Sequence, residues 1–191
     1  MTLISDRLSR FKPSLTVKIS QIAREMTLSG EKVISLSSGE PDFDTPKHIK
    51  DQAIKAINDG FTKYTQVDGI PELKQSIITK FESENDLKYD LDQITVGVGG
   101  KHVIYNLFMS TLNKNDEVII PSPYWVSYPD MVSLAGGKPI ILETEMKDNF
   151  KIIPEQLEAN ISEKTKWFII NSPGNPTGAV YDRSELKEIS K

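Results

Sequence analysis

Trp167-Phe168-Ile169-Ile170-Asn171-Ser172-Pro173-Gly174-Asn175-Pro176-Thr177-Gly178 couples a short apolar, partly β-branched run to a loop holding two prolines and two glycines. The apolar run reads as a buried strand. The eight residues from Asn171 are then the loop at that strand's carboxyl end, where open α/β sheets bind their ligands. The prolines and glycines fix the backbone and leave the Asn171 and Asn175 amides as the polar tools. An ordinary strand-to-helix turn has the same Pro/Gly chemistry, so the loop alone does not decide its own role.

Working outward from that loop, the chain from Asp92 on alternates apolar runs with helical periodicity, in units long enough for a parallel crossover. Strands are expected at Ile94 to Val98, Glu117 to Pro121, Lys138 to Glu143 and Lys166 to Asn171. Helices are expected at Lys101 to Leu112, near Tyr124 to Ala135, and at Pro154 to Ile161. The Lys101 helix is apolar on most sides, as befits a helix buried under a sheet. Asp182 and Glu185 form a capping pair that opens a last helix. Upstream, Ile19, Ile22, Ala23 and Met26 space out a helix over Thr16 to Ser29 that Gly30 ends, and Val33 to Leu36 reads as a short strand. Thr45 and Pro46 open a helix that Gly60 closes, another begins near Pro71, and Phe61 to Ile70 is left as an exposed connector. The only shift in pattern that resembles a boundary lies near residues 40 to 60.

The 191 residues carry 23 basic and 27 acidic side chains, a net charge of −4, with the two signs interspersed. No basic footprint for nucleic acid is present. The chain has no cysteine, which excludes disulfides, thiolate metal sites and a cysteine nucleophile, and fits a reducing cytoplasm. With no apolar signal region and no run of about 18 apolar residues, neither export nor a membrane span is expected. His48 and His102 share no metal-ligand spacing. Asp42 and Asp44 flank a turn that they are expected to cap.

Three segments carry the chemistry. Val98-Gly99-Gly100-Lys101 joins a strand to a helix and presents backbone N–H groups either to close packing or to an anion. It is not a Walker loop, since Thr95 and His102 stand where that pattern needs Gly and Ser or Thr. The dinucleotide fingerprint fails too, with His102 at its third glycine. Ser122-Pro123-Tyr124-Trp125 brings an indole to the same sheet edge, as a packing aromatic or as a flat face for a planar ligand. Because parallel strands all point their carboxyl ends one way, Gly99 to Lys101, Trp125 and Asn175 should converge on one crevice. Together they describe a site for a phosphorylated, planar, oxygen-bearing ring.

Read as a set, Ser38-Gly39-Glu40-Pro41-Asp42-Phe43-Asp44-Thr45-Pro46, Lys63-Tyr64-Thr65, Gly99-Gly100-Lys101, Ser122-Pro123-Tyr124-Trp125 and Asn171 to Gly178 closely resemble the class I aminotransferases. The subgroup they resemble is that of the bacterial aspartate aminotransferases. The resemblance implies the N-terminal half of the fold-type I pyridoxal-phosphate fold, an α/β arrangement of mainly parallel sheet with helices on both faces. Residues 1–45 would belong to the small domain and active-site cover, and 46–191 to an incomplete large cofactor-binding domain. Gly99, Gly100 and Lys101 would hold the phosphate of pyridoxal 5'-phosphate, Trp125 would stack on its ring, and Asn175 would donate to the ring's phenolic oxygen. Gly39 would lie against substrate, Trp125 and Asn175 would meet it too, and Lys12 would face the distal carboxylate of a dicarboxylic substrate. Tyr64 would reach the phosphate of a neighbouring subunit, making a cytoplasmic homodimer with shared sites that works on amino acids and 2-oxo acids. Related sites imply cis bonds at Ser122-Pro123 and Asn175-Pro176. The family's Schiff-base lysine, its pyridine-pairing aspartate and its carboxylate-clamping arginine would all lie beyond the equivalent of Lys191, so these residues alone are expected to be inactive. The same scaffold also serves aromatic and alanine aminotransferases and non-catalytic regulators, which remain rival readings.

Overall fold

The computed structural model describes residues 3–10, 15–36 and 39–191. The chain forms two compact units, residues 13–98 in one, and residues 1–12 with 99–191 in the other.

The unit of residues 13–98 is helical. Helices α1 (Leu15–Leu28), α2 (Lys47–Asn58) and α3 (Pro71–Asn85) follow one another, and neither α1 nor α2 has a fully buried residue. Gly30 and Gly60 follow α1 and α2 with φ of +93° and +85°, the left-handed stops that the sequence predicts. At the start of α2 the cap is Pro46 rather than Thr45, and no side chain closes it. Pro71 opens α3, where its missing N–H costs nothing. Two expected strands do not form among the described residues: neither Val33 to Leu36 nor Ile94 to Val98, which follows a short 3-10 turn at Leu91–Gln93, is part of the sheet. Apolar, β-branched sequence favours an extended backbone, but a strand exists only through a neighbour. The Val96 N–H of the Ile94 to Val98 run donates to the Asp68 carbonyl at 3.0 Å.

The second unit holds the sheet. Helix α4 (Gly100–Thr111) leads to β1 (Glu117–Ser122), α5 (Ser127–Leu134), β2 (Lys138–Glu143), α6 (Pro154–Glu158), β3 (Thr165–Phe168) and α7 (Arg183–Ile189). Strand order is β2-β1-β3 and both pairings are parallel, with Ile119 opposite Ile140 and Phe168. The expected last strand is shorter than Lys166 to Asn171, although the Ile169 N–H still donates to the Ile119 carbonyl at 2.9 Å.

Strand β1 organises both sides of this sheet. Val118, Ile119 and Ile120 are all fully buried, and their period of two sends alternate side chains to opposite faces. Val118 and Ile120 join Phe108 and Leu112 from α4 and its end, and Met131 and Val132 from α5. Ile119 joins Leu142, Ile152, Leu157 of α6 and Tyr181 on the other face. Helices therefore cover both faces, the layering that a parallel sheet requires. Gly137 serves this packing, since a Cβ there would sit 2.9 Å from Leu112 and 3.0 Å from Val132. Helix α4 is less enclosed than its composition predicts. Phe108 is its one buried residue, while Val103, Leu107 and Met109 stay exposed. The 3-10 turn Asp6–Arg10 packs on α5, where the Arg10 guanidinium donates to the Ser133 carbonyl at 3.2 Å and satisfies part of that helix's carboxyl end. No helix among the described residues is long and apolar enough to cross a membrane.

Candidate functional site

The loop after β3 is tied to itself by its own polar groups. The Asn175 N–H donates to Asn171 Oδ1 at 2.9 Å, and the Gly178 and Gly174 N–H groups donate to the Gly174 and Ala179 carbonyls at 2.7 and 2.8 Å. The Tyr181 N–H donates to Ser172 Oγ at 3.0 Å. Gly178 takes φ +72°, and a Cβ at Gly174 would stand 3.0 Å from Thr177 Oγ1. The Asn171 side-chain oxygen is thereby engaged in holding the loop. The exposed Asn175 amide makes no hydrogen bond among the described residues and is available to a ligand. The peptide bonds Ser122-Pro123 and Asn175-Pro176 are cis, as expected, and Ser172-Pro173 is a third that the sequence reading did not anticipate.

The glycine turn opens α4. Gly99 takes φ +89° and ψ 157°, a conformation essentially restricted to glycine, and its carbonyl accepts from His102 N–H at 3.1 Å. A Cβ at Gly99 or Gly100 would meet nothing within 4 Å. The N–H groups of Gly100 and Lys101, in the first turn of a 12-residue helix, have no partner among the described residues. An uncovered helix start with free donors fits an anion of phosphate size.

Lys101 and Trp125 come together as the convergence argument requires. The Lys101 ammonium lies 5.0 Å from the centre of the Trp125 ring, within cation–π range. Trp125 is half-buried and meets Tyr128 edge to face, with ring centres 5.3 Å apart and planes at 88°. Tyr128 in turn lines a hollow with Pro123, Tyr124, Asn171, Gly174 and Asn175. The aromatic pair thus links the glycine turn to the asparagine loop, although Trp125 itself is not part of the hollow's wall. Burial pushes the Tyr128 hydroxyl pKa up, so this ring stays neutral beside the site. Asp130 is pushed up by burial as well, against the opposing pull of Lys101. Tyr128 and Asp130 were not singled out from sequence. The signal for Tyr128 was its position three residues after Trp125, in the first turn of α5.

The remaining predicted site residues belong to the other unit or lie outside the described residues. Gly39 is exposed, and a Cβ there would meet nothing within 4 Å. Tyr64 is fully exposed in the Phe61 to Ile70 connector. Lys12 falls outside the described residues. For a phosphorylated ring, then, this chain offers free N–H donors, a lysine over an indole, and an uncommitted amide, which is the donor set such a group needs.

A family model for aminotransferase class I and II matches residues 31–191. The chain is 60% identical over 189 residues to the aspartate/prephenate aminotransferase of Cereibacter sphaeroides, covering 99% of this chain and 47% of that protein. It is 53% identical to the aspartate aminotransferase of Bacillus sp. strain YM-2, covering 99% of this chain and 48% of the relative. Among solved structures, the Thermus thermophilus aspartate aminotransferase with maleate is similar at a TM-score of 0.96 and 44% identity, over 100% of this chain and 50% of that one. The aspartate aminotransferase from Rhizobium meliloti is similar at a TM-score of 0.93 and 44% identity, over 100% of this chain and 48% of that one. The chain spans about half the length of the curated relatives it matches.

Proposed function

Since this chain belongs to the aminotransferase class I and II family, we propose that the protein it contributes to exchanges an amino group between aspartate or glutamate and 2-oxo acids, with prephenate as a further acceptor. The observation that carries this reading is the Lys101 ammonium seated over the Trp125 indole beside the open start of α4. An anion site and a ring platform side by side suit a phosphorylated aromatic cofactor, and pyridoxal 5'-phosphate is the one this family implies. Bound there, the cofactor supplies the carbonyl carbon that takes up the amino group and the conjugated ring that withdraws electrons from the substrate's Cα–H bond.

The chain's own residues bind and orient. The Gly100 and Lys101 N–H groups and the α4 dipole would hold the phosphate, with the Lys101 charge adding to that field. Trp125 would give the ring a flat apolar face that excludes water from one side. The Asn175 amide would donate to the ring's phenolic oxygen and stabilise its anionic form, and would also meet the substrate α-carboxylate. Gly39 would leave room for substrate, and Lys12 would attract the distal carboxylate that distinguishes dicarboxylic substrates. Tyr64, fully exposed here, would donate its hydroxyl to the cofactor phosphate of a neighbouring subunit, which makes the working form a homodimer. In this reading residues 1–45 belong to the small domain and cover, and 46–191 to the cofactor-binding domain.

The test is an amino-transfer assay on the full-length protein with pyridoxal phosphate, aspartate and 2-oxoglutarate, repeated with prephenate as acceptor. Oxaloacetate formation is expected. Transfer from tyrosine without transfer from aspartate would point to an aromatic aminotransferase. Cofactor binding with no transfer to any acceptor would point to a regulator.

A further inference from the structure

In the helical unit a lysine is buried where no catalytic role calls for it. Lys74, on α3, is 5% exposed and is the only buried charged residue among those described. Its ammonium pairs with the Asp68 carboxylate, which remains 45% exposed. Burying an ammonium is costly unless it is paired, so the partner is fixed as firmly as the lysine itself. The Lys74 hydrogen bond holds the Asp68 carboxyl below the usual carboxylate range.

Asp68 stands at the meeting point of two segments. Its backbone carbonyl accepts the Val96 N–H at 3.0 Å, a tether in the middle of the extended run Ile94 to Val98. Gly69, next in the chain, lies so close to Val96 that a Cβ there would be 2.7 Å from Val96 Cγ2. Along the chain in one direction, Asp68 follows Tyr64 by four residues. In the other, Val96 precedes Gly99 by three residues. Both stretches that would carry phosphate contacts are therefore anchored, through short covalent connections, to one ion pair.

We propose that Lys74 is a positioning residue for the cofactor phosphate, acting through Asp68 to hold the connector that carries Tyr64 and the run that ends at Gly99. This rests on the function proposed above, because it takes Gly99 to Lys101 and Tyr64 as the phosphate's holders. Lys74 itself touches no ligand. Its loss should leave the ring contacts of Trp125 and Asn175 in place and loosen only the grip on the phosphate.

That asymmetry gives the experiment. In the full-length protein freed of cofactor, equilibrium dissociation constants are measured for pyridoxal phosphate and for pyridoxal, which has the ring but no phosphate, alongside the thermal midpoint. Lys74→Met removes the charge and keeps an apolar side chain of similar length. It should weaken pyridoxal phosphate binding by about tenfold or more, the scale on which groups that orient a ligand's contacts usually act, and leave pyridoxal binding within about twofold. Lys74→Arg, which keeps the charge, should restore most of the preference for the phosphorylated form. If Lys74→Met does not fold, Val96→Ala loosens the same clamp without breaking an ion pair and should lower the same ratio. A lowered midpoint with an unchanged ratio would make Lys74 merely structural and overturn the proposal. Wild-type protein that binds both compounds equally would instead remove the phosphate reading itself, and this inference with it.

Discussion

Asn171 and Asn175 are the same amino acid four positions apart in one loop, yet they do different work. Asn171 Oδ1 accepts the Asn175 N–H at 2.9 Å and fixes the loop, whereas the Asn175 side chain has no bond among the described residues. Asn171→Ala should therefore cost about 1 kcal/mol of stability, read as a shift of the denaturation midpoint. Asn175→Ala in the full-length protein should move that midpoint by less than about 0.5 kcal/mol while lowering kcat/KM for aspartate at least about tenfold, a loss of about 1.4 kcal/mol of transition-state stabilisation. The reverse pattern, with Asn175 structural and Asn171 dispensable to folding, would refute the assignment. Gly99 presents a second contrast. Its φ of +89° with ψ 157° excludes a Cβ on conformational grounds, although the space around it is empty. Gly99→Ala should destabilise by about 1–3 kcal/mol, and a Gly100→Ala variant by less. Equal midpoints for the two would show that the turn is not strained. The sequence marked both asparagines as polar tools but held nothing to rank them, because the choice depends on which amide the folded loop consumes.

Strand β1 and helix α7 show what local sequence can and cannot foretell. The runs that became β1, β2 and β3 were legible because each is apolar and bounded by turn residues, and each found a partner. Ile94 to Val98 has the same local character but pairs with no strand among the described residues. Pairing is a property of two segments, so one segment's composition does not settle it. Helix α4 went the same way, since its apolar residues predict a covered helix and only Phe108 is covered here. By contrast, the capping box of α7 was readable from spacing alone. The Glu185 N–H donates to Asp182 Oδ1 at 2.9 Å and the Asp182 N–H donates to Glu185 Oε2 at 2.7 Å. Asp182→Ala should cost about 1 kcal/mol in a denaturant titration, and a value near zero would mean that α7 frays regardless of its cap.

Among the described residues, five carboxyls are held below their ordinary pKa. Hydrogen bonds from Lys74 act on Asp68, from the Asn113 N–H and Lys166 on Asp116, and from the Ser162 hydroxyl and Lys138 on Glu117. The Ser184 hydroxyl and the Glu185 N–H act on Asp182, and Lys151 and the Asp182 N–H act on Glu185. Each binds a proton more readily when unfolded, so its contribution is present above the unfolded-state value and is lost as pH falls through the depressed one. Stability should be level near neutrality and decline as pH drops below about 5. Denaturant midpoints that stay constant from neutral pH to below 4 would contradict this network. The parallel sheet was legible in the sequence because its strands are short apolar runs bounded by turn residues. The segments that would bind a ligand stood out as turn motifs following such runs, although the run before Gly99 forms no strand among the described residues. The two-unit division was not legible, since it arises from contacts between segments far apart in the chain. The convergence of the glycine turn, Trp125 and Asn175 on one phosphorylated ring is tested most directly by a crystal structure of the full-length protein with pyridoxal phosphate. The account predicts the phosphate at the Gly100 and Lys101 N–H groups, the ring against Trp125, and the Asn175 amide about 3 Å from the ring oxygen. A cofactor whose phosphate lies away from the start of α4, or whose ring leaves Trp125 and Asn175 untouched, would contradict it.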